Sequence, residues 1–344
     1  MVFTYSPRSD RGVNNISLLF VYAPCAWMGD NMFIDRLIEG IREKNNPTVV
    51  GLDPKLDYVP SFIKEKAFKE LGVNLKGASQ AIIQFNKQLI DAIYDQVPAV
   101  KPQLAYYEMY GVEGMIAFEE TCRYAKSKGM LVIADGKRND IGTTAEAYSK
   151  AFLGETLITE EVREKAFEVD ALTVSPYLGV DGIKPFIDDC ANNDKGIFVL
   201  VKTSNKSSGQ LQDLVTQDCR SIYEIMAAYV NDWGKNVKGQ YGYSSVGAVV
   251  GATYPNQAKL LRSIMKHAYI LVPGYGAQGG TAKDCTYSFN KDGLGAIVNA
   301  SRSVMCAYMS ENWKDRYSEN SFAEAARAEV IRMKNDLNSA LAQR

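Results

Sequence analysis

Short apolar runs rich in β-branched residues recur along this chain. Longer segments separate them, and there the apolar positions fall three and four residues apart. Eight of the runs predict strands: 48–52, 99–104, 130–134, 171–175, 197–201, 246–250, 269–272 and 296–299. They are apolar at successive rather than alternate positions, the pattern of strands buried on both faces of a parallel sheet. The intervening periodicity predicts helices over 79–96, 112–128, 160–168, 181–191, 213–233 and 256–265, and a closing Ala-rich helix over 321–341. In the first of these the apolar stripe is Ile82, Ile83, Leu89, Ile90 and Ile93, as one buried helix face requires. An amphipathic segment opened by Met32, with Phe33, Leu37, Ile38 and Ile41 on one side, leads into the first strand.

Eight β-α units imply an α/β protein of the (β/α)8 TIM-barrel type, for which about 250 residues is typical. A doubly wound open sheet is the competing architecture. No Pro/Ser-rich linker or charge run divides the chain, so residues 32–344 are expected to form a single catalytic barrel. Ahead of them, the apolar stretch 16–28 follows Arg8 and Arg11 and imitates a signal peptide. It is shorter than the roughly 20 residues that span a bilayer. The favoured reading makes residues 1–31 an extension, disordered or not native, with Met32 as the functional start.

Composition narrows the function classes. The 39 basic and 40 acidic residues leave a net charge of −1, which gives no electrostatic reason to expect a nucleic-acid or anionic-membrane partner. Six cysteines show no C-x-x-C spacing, as in a reduced cytoplasmic protein. The single histidine, His267, excludes two-histidine mechanisms and any His-rich metal site. It precedes the seventh strand, at the end of a barrel away from the chemistry, and is expected to be structural.

The polar residues cluster where the strands end. Asp53, Lys101 with Gln103, Asp135 with Lys137, Ser175, Thr203 with Ser204, and Arg302 each follow an apolar run. In a barrel these positions converge on the C-terminal mouth, where barrel enzymes keep their chemistry. The densest group is Ala134-Asp-Gly-Lys-Arg-Asn-Asp-Ile-Gly142. Strand alternation puts Asp135 and Lys137 on one face, and Asp140 follows where a helix is expected to begin. Such an array can hold a substrate, set a fixed negative charge beside it and deliver a proton without metal or cofactor.

A second signal is Val272-Pro-Gly-Tyr-Gly-Ala-Gln-Gly-Gly280, which contains G-x-G-x-x-G at Gly274, Gly276 and Gly279. A loop of this kind bares backbone N–H groups to an anion. A dinucleotide site is one reading, but no Asp or Glu ends the next strand as ribose recognition requires. That strand ends in Asn299-Ala-Ser-Arg302. A monophosphate gripped between the seventh and eighth loops fits better, with Arg302 as bidentate partner. Lys202-Thr-Ser-Asn205 and Ser175-Pro-Tyr177 add hydroxyl and amide groups suited to a polar heterocycle. Segments 203–215 and 274–292 are the expected closing loops.

Asp135-x-Lys137-x-x-Asp140 followed by Ile-Gly-Thr-Thr144 resembles the signature of the orotidine 5′-phosphate decarboxylase family, in its longer bacterial-type branch. The likeness covers nearly all of residues 32–310. It includes Gly51-Leu-Asp-Pro54, Val100-Lys-Pro-Gln103, Ser175-Pro-Tyr-Leu-Gly179, Leu200-Val-Lys-Thr-Ser-Asn205, the glycine loop and Asn299-Ala-Ser-Arg302. The resemblance implies a homodimeric, cofactor-free and metal-free barrel enzyme of pyrimidine biosynthesis. Its substrate would be orotidine 5′-monophosphate, converted to uridine 5′-monophosphate and carbon dioxide.

Carried over residue by residue, the resemblance makes Lys137 the proton donor to C6 and sets Asp135 against the substrate carboxylate. Asp140 and Thr144 would come from the neighbouring subunit. Asp53 and Lys101 would serve ribose binding and the charge network, Ser204 the pyrimidine, Gln278 the phosphate and base, and Gly276 and Arg302 the phosphate. Gly136, Asn139, Ser175 and Lys206 depart from the residues usual in the family; none removes a charge. Two rivals stand beside this reading: a metal-dependent sugar-phosphate decarboxylase or aldolase of the same barrel group, and a non-catalytic nucleotide-binding protein. A dinucleotide oxidoreductase ranks after them.

Overall fold

Eight parallel strands close into a barrel: β1 (Thr48–Leu52), β2 (Ala99–Pro102), β3 (Leu131–Arg138), β4 (Ala171–Val174), β5 (Gly196–Lys202), β6 (Ser244–Val250), β7 (Ala268–Val272) and β8 (Ala296–Ala300). The computed structural model describes residues 32–276 and 278–344; the expectation for residues 1–31 lies outside the described residues. Each strand pairs with its sequence neighbours, and Thr48 of β1 lies opposite Val298 of β8 to complete the ring. The barrel expectation holds and the open sheet does not.

Two apolar layers explain why the strands are apolar throughout. Val49, Ala99, Leu131, Ile133, Ala171, Phe198, Leu271 and Ile297 point into the barrel. Their neighbours Val50, Val100, Val132, Leu172, Val199, Ile270 and Val298 lie beneath the surrounding helices. The side-chain period of two is intact, but both faces are dry.

The helix Phe33–Lys44 plugs the N-terminal end of the barrel. Phe33, Ile34, Leu37, Ile38 and Ile41 join the interior cluster, each stabilising by roughly 1.5–3 kcal/mol when fully buried. Phe33 meets Phe198 edge-on at 6.2 Å. Its ring fits only because residue 196 is glycine; a Cβ there would stand 2.1 Å from it. The Asp35 carboxylate accepts the backbone N–H of Gln240 at 3.1 Å and locks the plug in place. The opposite, C-terminal end stays open.

Two predicted helices need correction, and a further helix goes unpredicted. The expected helix 160–168 is instead a small hairpin, Thr156–Leu157 against Arg163–Glu164. The Thr159 hydroxyl accepts the Val162 N–H at 3.1 Å and turns the chain there. The helix that connects β3 to β4 is Gly142–Phe152. The segment expected as a helix from residue 213 becomes one only at Ile222. Ser221 and Glu224 form a capping box at that point, which supplies a helix start the apolar period alone had placed too early. The helix Ser61–Leu71 was not anticipated; its apolar stripe is weak, with only Ile63 and Ala67 buried.

Candidate active site

The open end of the barrel holds a cavity of about 630 Å³, a size suited to a small-molecule ligand. Leu200, Val249 and Leu271 floor it, and Asp53, Lys101, Asp135, Lys137, Thr173, Ser204, Gln278, Asn299 and Arg302 are among the residues around it. The residues expected at strand ends 1, 2, 3, 5 and 8 therefore do converge.

On one side lies a continuous charged array. Lys101 Nζ donates to Asp135 Oδ2 at 2.7 Å, and Lys137 Nζ to Asp135 Oδ1 at 2.6 Å. The Thr173 hydroxyl donates to Asp135 Oδ1 at 2.9 Å and accepts the Lys137 N–H at 3.0 Å. The side chains are graded in exposure: Lys101 5%, Asp135 13%, Lys137 44%. The innermost ammonium is thus sealed while the outermost remains open to the cavity.

Burial opposes ionisation of Asp135, but the charges of Lys101 and then Lys137, with their hydrogen bonds, outweigh it and hold the carboxyl well below the usual range. Burial likewise opposes the charge on Lys101, and the carboxylates of Asp135 and Asp53 outweigh it, so its pKa is raised. Both groups stay ionised because each compensates the other. Asp53 Oδ1 is buried with no hydrogen-bond partner. A buried acceptor left open at a cavity wall suits a ligand hydroxyl.

Strand alternation alone does not bring Asp135 and Lys137 together. The β3–β4 register shifts between Ala134 and Arg138, and Lys137 adopts a positive φ of 47°. A lysine in that conformation is strained. Here the Thr173 hydroxyl receives its N–H and the Asp135 carboxylate its ammonium.

The other side is built from loops. Gly274, Gly276 and Gly279 all have positive φ. The Gly276 N–H donates to Gly280 O at 2.9 Å, Gly279 N–H to Gly276 O at 2.8 Å and Gly280 N–H to Gly274 O at 3.0 Å. This corrects one expectation: these three N–H groups are engaged within the loop rather than bared. Gly276 lies beside Arg302 in a cleft adjoining the main cavity. The side chains of Gln278 and Arg302 do face the cavity. Arg302 opens a short helix after β8 and forms no ion pair among the described residues.

Ser204 and Asn205 rest on the buried lysine of the same motif. Lys202, fully buried at the end of β5, donates to Asp213 at 2.6 Å and to Ser208 at 3.1 Å. Its ammonium also lies 4.4 Å from the centre of the Tyr254 ring. Gln212 Oε1 accepts the Thr203 N–H at 2.9 Å, so segment 203–213 is tied at both ends, with Ser204 and Asn205 facing the cavity.

Besides Gly276, three expected residues are not in this cavity. Ser175 lies beyond it, its N–H donated to Arg138 O at 3.0 Å. Thr173 is on the same strand face two residues earlier and takes the inner position; that alternation was the available signal. Asp140 and Thr144 are also outside. The Asp140 carboxylate accepts the Ile141 N–H at 2.8 Å, and Thr144 is exposed. His267 lies at the plugged end, bonded to Gly242 O at 2.9 Å. No group of three or more His, Cys, Asp or Glu side chains among the described residues is arranged to hold a metal ion. No described helix is long and apolar enough to cross a membrane.

Residues 50–313 match the family described as orotidine 5′-phosphate decarboxylase / HUMPS. The chain is 40% identical over 309 residues to the orotidine 5′-phosphate decarboxylase of Caldicellulosiruptor saccharolyticus, covering 90% of this chain and 99% of that protein. It is 42% identical over 305 residues to that of Rhodopirellula baltica, covering 89% and 98%. The structure of Leishmania donovani OMP decarboxylase superposes with a TM-score of 0.68 at 30% identity, covering 90% of this chain and 99% of that one.

Proposed function

The chain belongs to the orotidine 5′-phosphate decarboxylase / HUMPS family, and from that premise we infer that it decarboxylates orotidine 5′-monophosphate to uridine 5′-monophosphate in pyrimidine biosynthesis. The observation that carries this reading is the Lys101–Asp135–Lys137 array, paired at 2.7 and 2.6 Å, facing one cavity with Arg302. We propose residues 32–344 as one catalytic barrel.

The roles follow from the chemistry. The bond from C6 to the carboxylate carbon breaks, its electron pair stays on C6, and carbon dioxide leaves. C6 has no neighbouring group able to spread that charge, so a preorganised ammonium must meet it. Lys137 is that ammonium; it donates a proton to C6 and recovers one from solvent. Asp135 stays ionised because two ammonium groups hold it so, and it therefore repels the incoming substrate carboxylate. The repulsion ends as neutral carbon dioxide forms. Binding energy for this crowded complex comes from the remote phosphate, held by Arg302 and Gln278. Asp53 takes a ribose hydroxyl and Ser204 the pyrimidine edge.

Asp140 and Thr144, outside their own chain's cavity, complete the mouth of a second copy in a cytoplasmic homodimer. Exposed Ile141, Tyr177 and Leu178 beside them support such a contact.

The deciding experiment mixes purified protein with orotidine 5′-monophosphate and excess EDTA, and follows the orotate chromophore. Rapid loss with uridine 5′-monophosphate as product is expected. Activity that EDTA abolishes would move the assignment to the metal-dependent sugar-phosphate branch, and binding without turnover to a non-catalytic protein.

A further inference from the structure

The glycine loop that faces the phosphate end of the cavity is thinly supported. Two clefts, of about 540 Å³ and about 430 Å³, adjoin it; Gly276 and Arg332 line both. Among the described residues, a buried side chain of the loop reaches across to the C-terminal helix. Tyr275, 5% exposed, donates its hydroxyl to the Asp336 carboxylate at 2.6 Å. Burial and that carboxylate both push the phenol pKa up, so the hydroxyl remains a donor.

Asp336 belongs to the C-terminal helix Phe322–Ala342, which lies beyond the family match at residues 50–313. The helix is itself held firmly. The Trp313 indole N–H donates to its buried Glu329 at 2.9 Å, Arg327 donates to both oxygens of Asp95 at 2.5 and 2.7 Å, and Lys334 donates to Lys44 O at 2.8 Å. The short helix Ala282–Thr286, which follows the glycine loop, packs against the C-terminal helix, and so does the short helix that begins with Arg302. One element therefore underlies both halves of the phosphate grip.

We propose that Asp336 is a positioning residue which, through the Tyr275 hydroxyl, sets the glycine loop at the height the phosphate needs. The inference rests on the nucleotide reading of the mouth. Neither residue's polar group has to touch the reacting atoms. Its effect is confined to the phosphate, because the charged array is carried by β2, β3 and β4 on the other side of the barrel.

The test compares wild type with Asp336→Asn and Tyr275→Phe, measuring kcat and KM for orotidine 5′-monophosphate and inhibition constants for uridine 5′-monophosphate and uridine. Loss of a hydrogen bond to a charged acceptor predicts a KM about tenfold higher for Asp336→Asn, with kcat within about twofold. Uridine 5′-monophosphate should weaken by a similar factor in both variants, while uridine should not. Asp336→Glu should restore part of the loss. Should Asp336→Asn fold poorly, Tyr275→Phe keeps the packed ring and decides alone. Parallel weakening of nucleotide and nucleoside, or no change in either, would overturn the proposal. A wild-type protein that neither binds uridine 5′-monophosphate nor turns over substrate removes the functional reading first and the positioning role with it.

Discussion

The two halves of the barrel mouth solve opposite problems. In the half formed by β2, β3 and β4, Lys101, Asp135, Lys137 and Thr173 are bonded to one another on strand ends. In the half formed after β7 and β8, three glycines turn through positive φ and Arg302 has no ionic partner among the described residues. Charges that must already be in place when the substrate arrives can be carried into a dry site only if they compensate one another. A charge meant to capture an anion has to be left uncompensated. The first half is suited to chemistry, the second to holding.

The sharpest way to break that division is Lys137→Ala. Turnover should fall by at least about a thousandfold, since the proton donor and the charge opposite C6 vanish together. Affinity for uridine 5′-monophosphate should survive. An active variant, or an inactive one that has also lost the nucleotide, would refute the split.

Arg302→Ala probes the other half. KM should rise by about a hundredfold with a smaller change in kcat at saturation. A collapse of kcat at unchanged KM would place Arg302 with the chemistry instead.

The smallest effect concerns stability against pH. The folded-state pKa of Asp135 lies below its unfolded value, so over that interval the unfolded chain binds more protons. Its contribution is complete above the usual carboxylate pKa of about 3.9 and declines as pH falls below it. Urea midpoints of wild type should therefore drop more between pH 7 and pH 3 than those of Asp135→Asn. Equal slopes would show that the array does not hold that carboxylate ionised.

Much of this was legible because parallel barrels write themselves into local pattern. Val49 faces inward and Val50 outward, yet both must be apolar, so the strands stand out as uninterrupted runs. Strand ends are legible too, because Asp53, Lys101, Asp135 and Arg302 break those runs abruptly. The helix at 160–168 failed for a local reason: a Thr159 turn competes with helical period, and period alone cannot weigh that side-chain hydrogen bond. Nothing in Leu-Val-Lys-Thr announces that the ammonium of Lys202 is fully buried. Its partner Asp213 lies eleven residues on and is brought back by a loop.

The sequence by itself determined the eight-fold alternation, the apolar layers and the set of charged residues ending the strands, since each depends on residues close together in the chain. Only the tertiary structure decided which of those charges pair. The register shift in β3 aims Lys137 at Asp135, Thr173 rather than Ser175 reaches the cavity, and the glycine loop bonds the N–H groups of Gly276, Gly279 and Gly280 within itself. It also decided that a helix some sixty residues further along supports that loop through Tyr275 and Asp336. Pairing of this kind depends on distances across the closed barrel, and barrel closure is a property of all eight strands together.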